Sequence, residues 1–273
     1  MSTAGYNIRP PAVAGAFYPA APRELEETVT ELLTAAREAA PAGAPSPKAP
    51  KAIIAPHAGY IYSGPIAGSA FAALAPNAAT LRRVVLLGPA HRVPFRGLAL
   101  PEAKGFATPL GVLPIDPEMA RAVSRLPQVR LQPEAHADEH SLEVEIPFLQ
   151  ILLGEIKFLP LVVGEASGEE VAEVLEQVWG DEETAVVISS DLSHYLPYDT
   201  ARRIDRETAD AILRLDGPID PRRACGAFPI NGLLLAARRR GLVPSLLDLR
   251  NSGDTAGDRR QVVGYGAFAF HAS

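Results

Sequence analysis

Cysteine occurs once in the 273 residues, tryptophan once and methionine twice. A single thiol excludes an intramolecular disulfide and points to a reducing compartment, so a cytoplasmic location is expected. No stretch approaches the ~18 consecutive apolar residues of a membrane span. The N-terminus lacks a basic region followed by an uninterrupted apolar core, so neither export nor membrane insertion is expected. A surplus of positive charge is also missing: the formal net charge is −6, which argues against a nucleic-acid or anionic-membrane surface. There is no GxGxxG and no Walker loop to hold a nucleotide, and no Gly-x-Ser-x-Gly elbow to present a nucleophilic serine.

What is present is an ordinary globular composition, 47% hydrophobic and 21% charged, with 26 prolines and 22 glycines that punctuate periodic apolar segments. Apolar runs at 52–54, 83–88, 157–163 and 184–190 read as buried strands. Between them lie helical patterns at 23–40, 65–75, 117–126, 135–153 and 199–215. Ser167 to Glu170 forms a capping box ahead of another helix, and Ser245 to Arg250 and Val262 to Phe270 read as two final strands. Strands alternating with helices predict an α/β fold, a central, largely parallel or mixed sheet flanked by helices, in one domain spanning 1–273. Residues 1–22 are expected as an arm packed on the body and 41–50 as a flexible loop.

Three strands end in polar residues, two of them through a proline. The run at 52–54 meets Pro56 and delivers His57, the run at 83–88 meets Pro89 and delivers His91, and the run at 184–190 discharges into Asp191, Ser193 and His194. Ligands gather at the carboxyl ends of strands in such sheets, so these residues are expected to converge. Two neutral imidazoles want a third donor to hold an ion, and Cys225 or Asp191 could supply it. His140 with Glu143, three apart, would share a helical face and could orient a proton-transfer group, whereas His136 with His140 have a chelating spacing only if both are helical. A Ser-His-Asp arrangement can be drawn from Ser189, Ser190 or Ser193 with Asp191 and His194, but without an elbow it carries little weight. His271 is read as structural.

The segments RPPAVAGAFYP, APHAGYIYSG, LLGPAHRVP, ADEHSLEVEIPFLQ, ISSDLSHY and ACGAFPINGLL, in that order, resemble the Memo family, whose bacterial and archaeal members are called AmmeMemoRadiSam system protein B. The resemblance implies a fold related to the class III extradiol (LigB-like) dioxygenases, which are non-haem iron enzymes. It places metal-site positions on His57, His91 and Cys225, with His194, Asp191 and His140 as neighbouring pocket residues managing protons. Extradiol enzymes use two histidines and a carboxylate, so a cysteine departs from that pattern. Two imidazoles and a thiolate suit a borderline-soft ion, Fe(II) first, with Cu or Zn next; Met1 and Met119 lie near no motif and offer no blue-copper axial ligand. The implied activity is that of a metal-dependent oxidoreductase. The alternative is a non-catalytic module that docks a peptide or partner. The family name further implies radical-SAM and AMMECR1-like protein partners.

Overall fold

The computed structural model describes residues 7–39 and 49–272, so the start of the expected arm and most of the loop expected at 41–50 lie outside the described residues. In chain order the elements begin with β1 (Ile8–Arg9), α1 (Pro22–Ala39), β2 (Ala52–Ala55), α2 (Tyr60–Ala72) and β3 (Arg83–Pro89). They continue with β4 (Leu98–Leu100), β5 (Gly105–Thr108), β6 (Gly111–Pro114), α3 (Pro117–Val123), β7 (Val129–Leu131), α4 (Glu134–Ala137) and α5 (Ile146–Leu153). The second half holds β8 (Lys157–Val163), α6 (Gly168–Gln177), β9 (Thr184–Ser189), β10 (His194–Leu196), α7 (Tyr198–Leu213), α8 (Ala227–Arg239), β11 (Val243–Asn251) and β12 (Val262–His271).

The architecture is α/β, with a mixed sheet between helical layers. Its centre is four parallel strands in the spatial order β2, β9, β3, β8. β12 adds antiparallel to β2, with β11 antiparallel to β12, and β4 adds antiparallel to β8. A parallel sheet is covered on both faces, so its strands are apolar throughout. Alternate side chains serve two cores. Ile53, Val84, Leu86 and Val187 pack with α1, α2 and α5, while Ile54, Val85, Leu87 and Ile188 pack with α6 and α8. Each such fully buried side chain contributes about 1.5–3 kcal/mol.

Local sequence explains most of the boundaries. Leu25, Val29 and Leu33 recur at one spacing and form the buried stripe of α1. Ser167 accepts the Glu170 amide and the Glu170 side chain returns to the Ser167 amide, the capping box that starts α6. Two expected helices differ. α2 starts at Tyr60 and carries Pro65 inside it. Its Gly68 packs so closely on α1 that a Cβ there would stand 2.8 Å from the Leu32 carbonyl oxygen. The segment 135–153 is not one helix: α4 stops at Ala137, a single 3-10 turn occupies Glu143–Glu145, and α5 follows with Pro147 in its first turn, where a missing amide costs nothing. That break brings polar side chains toward the strand ends.

Candidate metal centre

β2 ends at Ala55, β3 at Pro89 and β9 at Ser189, and each is followed two positions later by His57, His91 or Asp191. Because β9 pairs with both β2 and β3, the two histidines flank the Asp191 turn. The interrupted segment between α4 and α5 supplies His140 from another direction. The rings converge: His57 and His91 centroids are 5.2 Å apart, His57 and His140 5.5 Å, and His91 and His140 4.7 Å with nearly parallel planes. One ligand atom from each of these three side chains lies within 4.8 Å of the other two.

Buried carboxylates and hydroxyls orient the rings. His91 Nδ1 is 2.9 Å from Glu139 Oε1, and Glu139 also accepts the backbone amides of His91, His140 and Ser141. Burial pushes the Glu139 carboxyl up, but the His91 hydrogen bond, its charge and these amides outweigh it and hold it at about 2. With Nδ1 engaged, His91 is left to offer Nε2. His57 is 1% exposed, and its Nδ1 lies 2.6 Å from Ser189 Oγ, so it too is left with Nε2. His140 has an Nδ1 that is buried and without a hydrogen-bond partner among the described residues. Burial, reinforced by the neighbouring imidazoles, pushes His57 well below its ordinary value. Burial likewise brings His140 to about 4 against the opposing pull of Glu139. Imidazole nitrogens at this spacing fit a borderline first-row ion.

The remaining expected residues fall close by in different roles. Asp191 is buried, and its Oδ1 accepts the backbone N–H of His57 at 2.9 Å. Burial raises its carboxyl to about 7 against the pull of that amide. His194 opens β10 and lines the same cleft, its pKa lowered chiefly by burial. Cys225, expected as the third donor, is not in the mutually close set. Its Sγ is 3.4 Å from His57 Nε2, accepts the Asp191 amide at 3.3 Å, and lines a separate groove with Pro89, Phe95 and Phe228. It lies just before α8, whose first turn holds Pro229. Burial and the Asp191 charge raise its thiol pKa strongly.

Three pairings suggested by the sequence come apart. Glu143 does not face His140's side of the cleft as a proton carrier. It is fully buried and anchors the N-terminal arm: Arg9 Nη1 donates to it at 2.6 Å, the Tyr18 hydroxyl at 2.6 Å, and the Ala12 and Val13 amides at 2.8 and 3.0 Å. His136 lies apart from the cluster, with Nε2 2.9 Å from the Ala99 carbonyl. Ser189 does meet a histidine, but it is fully buried and its hydroxyl donates to the Ser141 carbonyl at 2.6 Å, which is no nucleophile's position. Sequence reasoning missed Glu139 and Phe17. Phe17, carried by the arm, stands 4.8 Å from the His140 ring.

Above the imidazoles opens a cleft of about 1180 Å³, walled by Phe17, Tyr62, Tyr195 and Tyr265 and rimmed by Arg92 and Arg260. No described helix is long and apolar enough to cross a membrane.

Comparison with known proteins is consistent along almost the whole chain. A family model described as Memo-like protein matches residues 9–269. A MEMO1 family protein of Methanopyrus kandleri is 37% identical over 283 residues, covering 96% of this chain and 98% of its own length. Another, from Archaeoglobus fulgidus, is 36% identical over 280 residues, covering 96% and 99%. A third, from Aquifex aeolicus, is 36% identical over 272 residues, covering 95% and 97%.

Proposed function

The chain belongs to the Memo-like protein family, and from that premise we propose that it holds one transition-metal ion at the base of the cleft, iron(II) in first place with zinc or copper as alternatives, and acts there as a metal-dependent oxidoreductase on a small organic ligand. The observation that carries the reading is the convergence of His57, His91 and His140, with ligand atoms all within 4.8 Å of one another. His57 and His91 are two of the donors. His140 is the third by proximity, and Cys225, 3.4 Å from His57 Nε2, is the other candidate for that place.

A bound ion of this kind supplies Lewis acidity and, as iron or copper, one-electron chemistry. The chain's own residues do the rest. Glu139 orients His91, Asp191 fixes the backbone on which His57 sits, and His194 stands at the cleft wall as proton donor or acceptor. Phe17, Tyr62 and Tyr265 provide an apolar, partly aromatic wall, and Arg92 and Arg260 favour a ligand carrying negative charge.

One observation favours a second reading. Tyr195 at the cleft is 69% exposed, a position suited to docking a peptide or partner protein, the radical-SAM and AMMECR1-like proteins among them, without turnover.

Metal analysis of anaerobically purified protein, with titration of Fe(II), Zn(II) and Cu, tests the first reading. The expected result is about one equivalent in the wild type, with affinity falling at least ~10-fold in His57→Ala and His91→Ala. His140→Ala and Cys225→Ser decide the third donor. Wild-type protein that binds none of these ions at micromolar concentration sinks the metal reading. The docking reading predicts capture of an AMMECR1-like protein that survives chelation, and loss of capture on chelation counts against it.

A further inference from the structure

One fully buried carboxyl takes no part in the imidazole cluster or in anchoring the arm. Glu145 closes the 3-10 turn before α5 and is 0% exposed. Its Oε1 lies 2.8 Å from Ser189 Oγ, and its Oε2 is buried with no hydrogen-bond partner among the described residues. The same Ser189 Oγ lies 2.6 Å from His57 Nδ1 and 2.6 Å from the Ser141 carbonyl oxygen. Three polar atoms thus surround one hydroxyl, and a hydroxyl has one proton to give and two lone pairs with which to receive.

Counting protons decides who gives and who receives. The Ser141 carbonyl can only accept, so its contact needs the Ser189 proton. The other two contacts must then bring protons of their own: His57 from Nδ1–H, and Glu145 from a carboxylic O–H. With that assignment every contact is a hydrogen bond. If Glu145 were a carboxylate, only two protons would serve three contacts, and one close pair of buried oxygens would face each other with no hydrogen between them. If His57 carried its proton on Nε2, Ser189 would have to turn its own proton to Nδ1, and the Ser141 carbonyl would lose its donor. The unpartnered Oε2 agrees, because an orphaned carbonyl oxygen costs far less to bury than an orphaned anionic one. Burial, reinforced by the charge of Asp191 and opposed by the Ser189 hydroxyl, also holds the Glu145 carboxyl well above the usual carboxylate range.

We propose that Ser189 is a positioning residue that fixes His57 in its Nδ1–H form, leaving Nε2 unprotonated, with Cys225 Sγ 3.4 Å away, to take a ligand, and that Glu145 is a neutral acid that holds the Ser189 hydroxyl in that orientation. The consequence for metal binding rests on the reading given under the proposed function, whereas the proton arrangement stands without it. The two histidines are then backed differently. His91 has a charged carboxylate in direct contact through Glu139, and His57 has an uncharged relay. A carboxylate partner raises the basicity of an imidazole and a neutral hydroxyl does so much less, so His91 is the stronger donor of the pair.

Two nuclear magnetic resonance measurements on the full-length, metal-free protein at pH 7 test this. In protein carrying ¹⁵N-labelled histidine, with His57→Gln used for assignment, the wild type is expected to show His57 as the Nδ1–H tautomer. Ser189→Ala is expected to show a mixture of tautomers, and Ser189→Thr, which keeps the hydroxyl, to restore the wild-type pattern. In protein carrying ¹³C-labelled glutamate carboxyls, one resonance is expected at the position of a neutral acid, and it disappears in Glu145→Gln. Glu145→Gln retains a donor toward Ser189, so it keeps the tautomer and changes Zn(II) affinity less than ~3-fold. Ser189→Ala weakens Zn(II) binding by ~10-fold or more, in line with the loss of an orienting partner. A carboxylate signal for Glu145, or an unchanged His57 tautomer in Ser189→Ala, overturns the proposal whether or not metal binds. Absence of Zn(II) binding with the expected tautomer shifts overturns the metal reading and leaves the proton arrangement intact.

Discussion

Neutralising Glu143 should cost more than any other isosteric change near the cleft. Glu143→Gln keeps the shape of the side chain but removes the charge that four donors converge on. It leaves the Arg9 guanidinium, 5% exposed, without a counter-charge, held by neutral acceptors at the His136 and Glu139 carbonyls and, more distantly, Pro10, while the one remaining side-chain oxygen cannot serve all four donors. Breaking a buried ion pair from one side costs about 3–5 kcal/mol, because the surviving charge has already lost its water. For a chain of this size each kcal/mol moves the melting temperature by about 2–4 °C, so a fall of roughly 6–20 °C is expected by scanning calorimetry. Adding Arg9→Met to Glu143→Gln removes the stranded charge while keeping a polar side chain for the Ala12, Val13 and Tyr18 donors, and should recover part of the loss. The change should also be felt at the cleft, since the anchored arm carries Phe17 onto the His140 ring. A melting temperature for Glu143→Gln within about 2 °C of wild type, or a double variant no better than the single one, would refute the reasoning.

Burial brings His136 down to about 4, with the Ala99 carbonyl pulling the other way, so the unfolded chain binds a proton that the native protein refuses. The share of stability this histidine carries is therefore complete above the unfolded value and is lost as pH falls from it toward about 4; that share is roughly 2 kcal/mol between pH 7 and 5, and His136→Asn should make the slope in urea titrations shallower by that amount. An equally steep slope in the variant would assign the effect elsewhere. Gly226 meets the end of β9 so closely that a Cβ would stand 2.5 Å from Ser190 Cβ and 2.8 Å from the Ser189 carbonyl oxygen. Gly226→Ala should cost about 1–3 kcal/mol and weaken metal binding by disturbing the strand that carries Ser189; an unaltered midpoint and affinity would show that the strand gives way freely.

The strand ends were legible in sequence because their code is local. An apolar run, a proline and a histidine within a few residues announce both the strand and the side chain at its end, and His57 and His91 stand where that pattern puts them; for Asp191 the apolar run alone marks the strand end. The segment 135–153 was legible only in part. Its apolar spacing suits one helix; tertiary contacts decide for a break, with Pro147 in the first turn of α5, since Glu139, Glu143 and Glu145 each take a separate buried station against residues far away in the chain. Three acidic residues in seven positions look like a solvated face in sequence, and nothing local marks them as buried. The partner of Glu143 is Arg9, 134 residues earlier, a pairing that no periodicity can reveal. Cys225 was read as a donor through its resemblance to a known pattern, and the structure sets its sulfur against one histidine and outside the group of three.

The position of β9 governs how the protein can be made. It enters the sheet between β2 and β3, both of which leave the ribosome long before it does. During synthesis the first two histidine-bearing strands therefore have no shared neighbour, and the gap between them can close only when residues 184–189 arrive. Pairings of such sequence separation are slow to form, and unpaired strand edges are exposed while they wait. A chain interrupted before this insertion would carry His57, His91 and His140 yet lack the strand that spaces the first two, so the three imidazoles are brought to their final spacing late, in a single closing step.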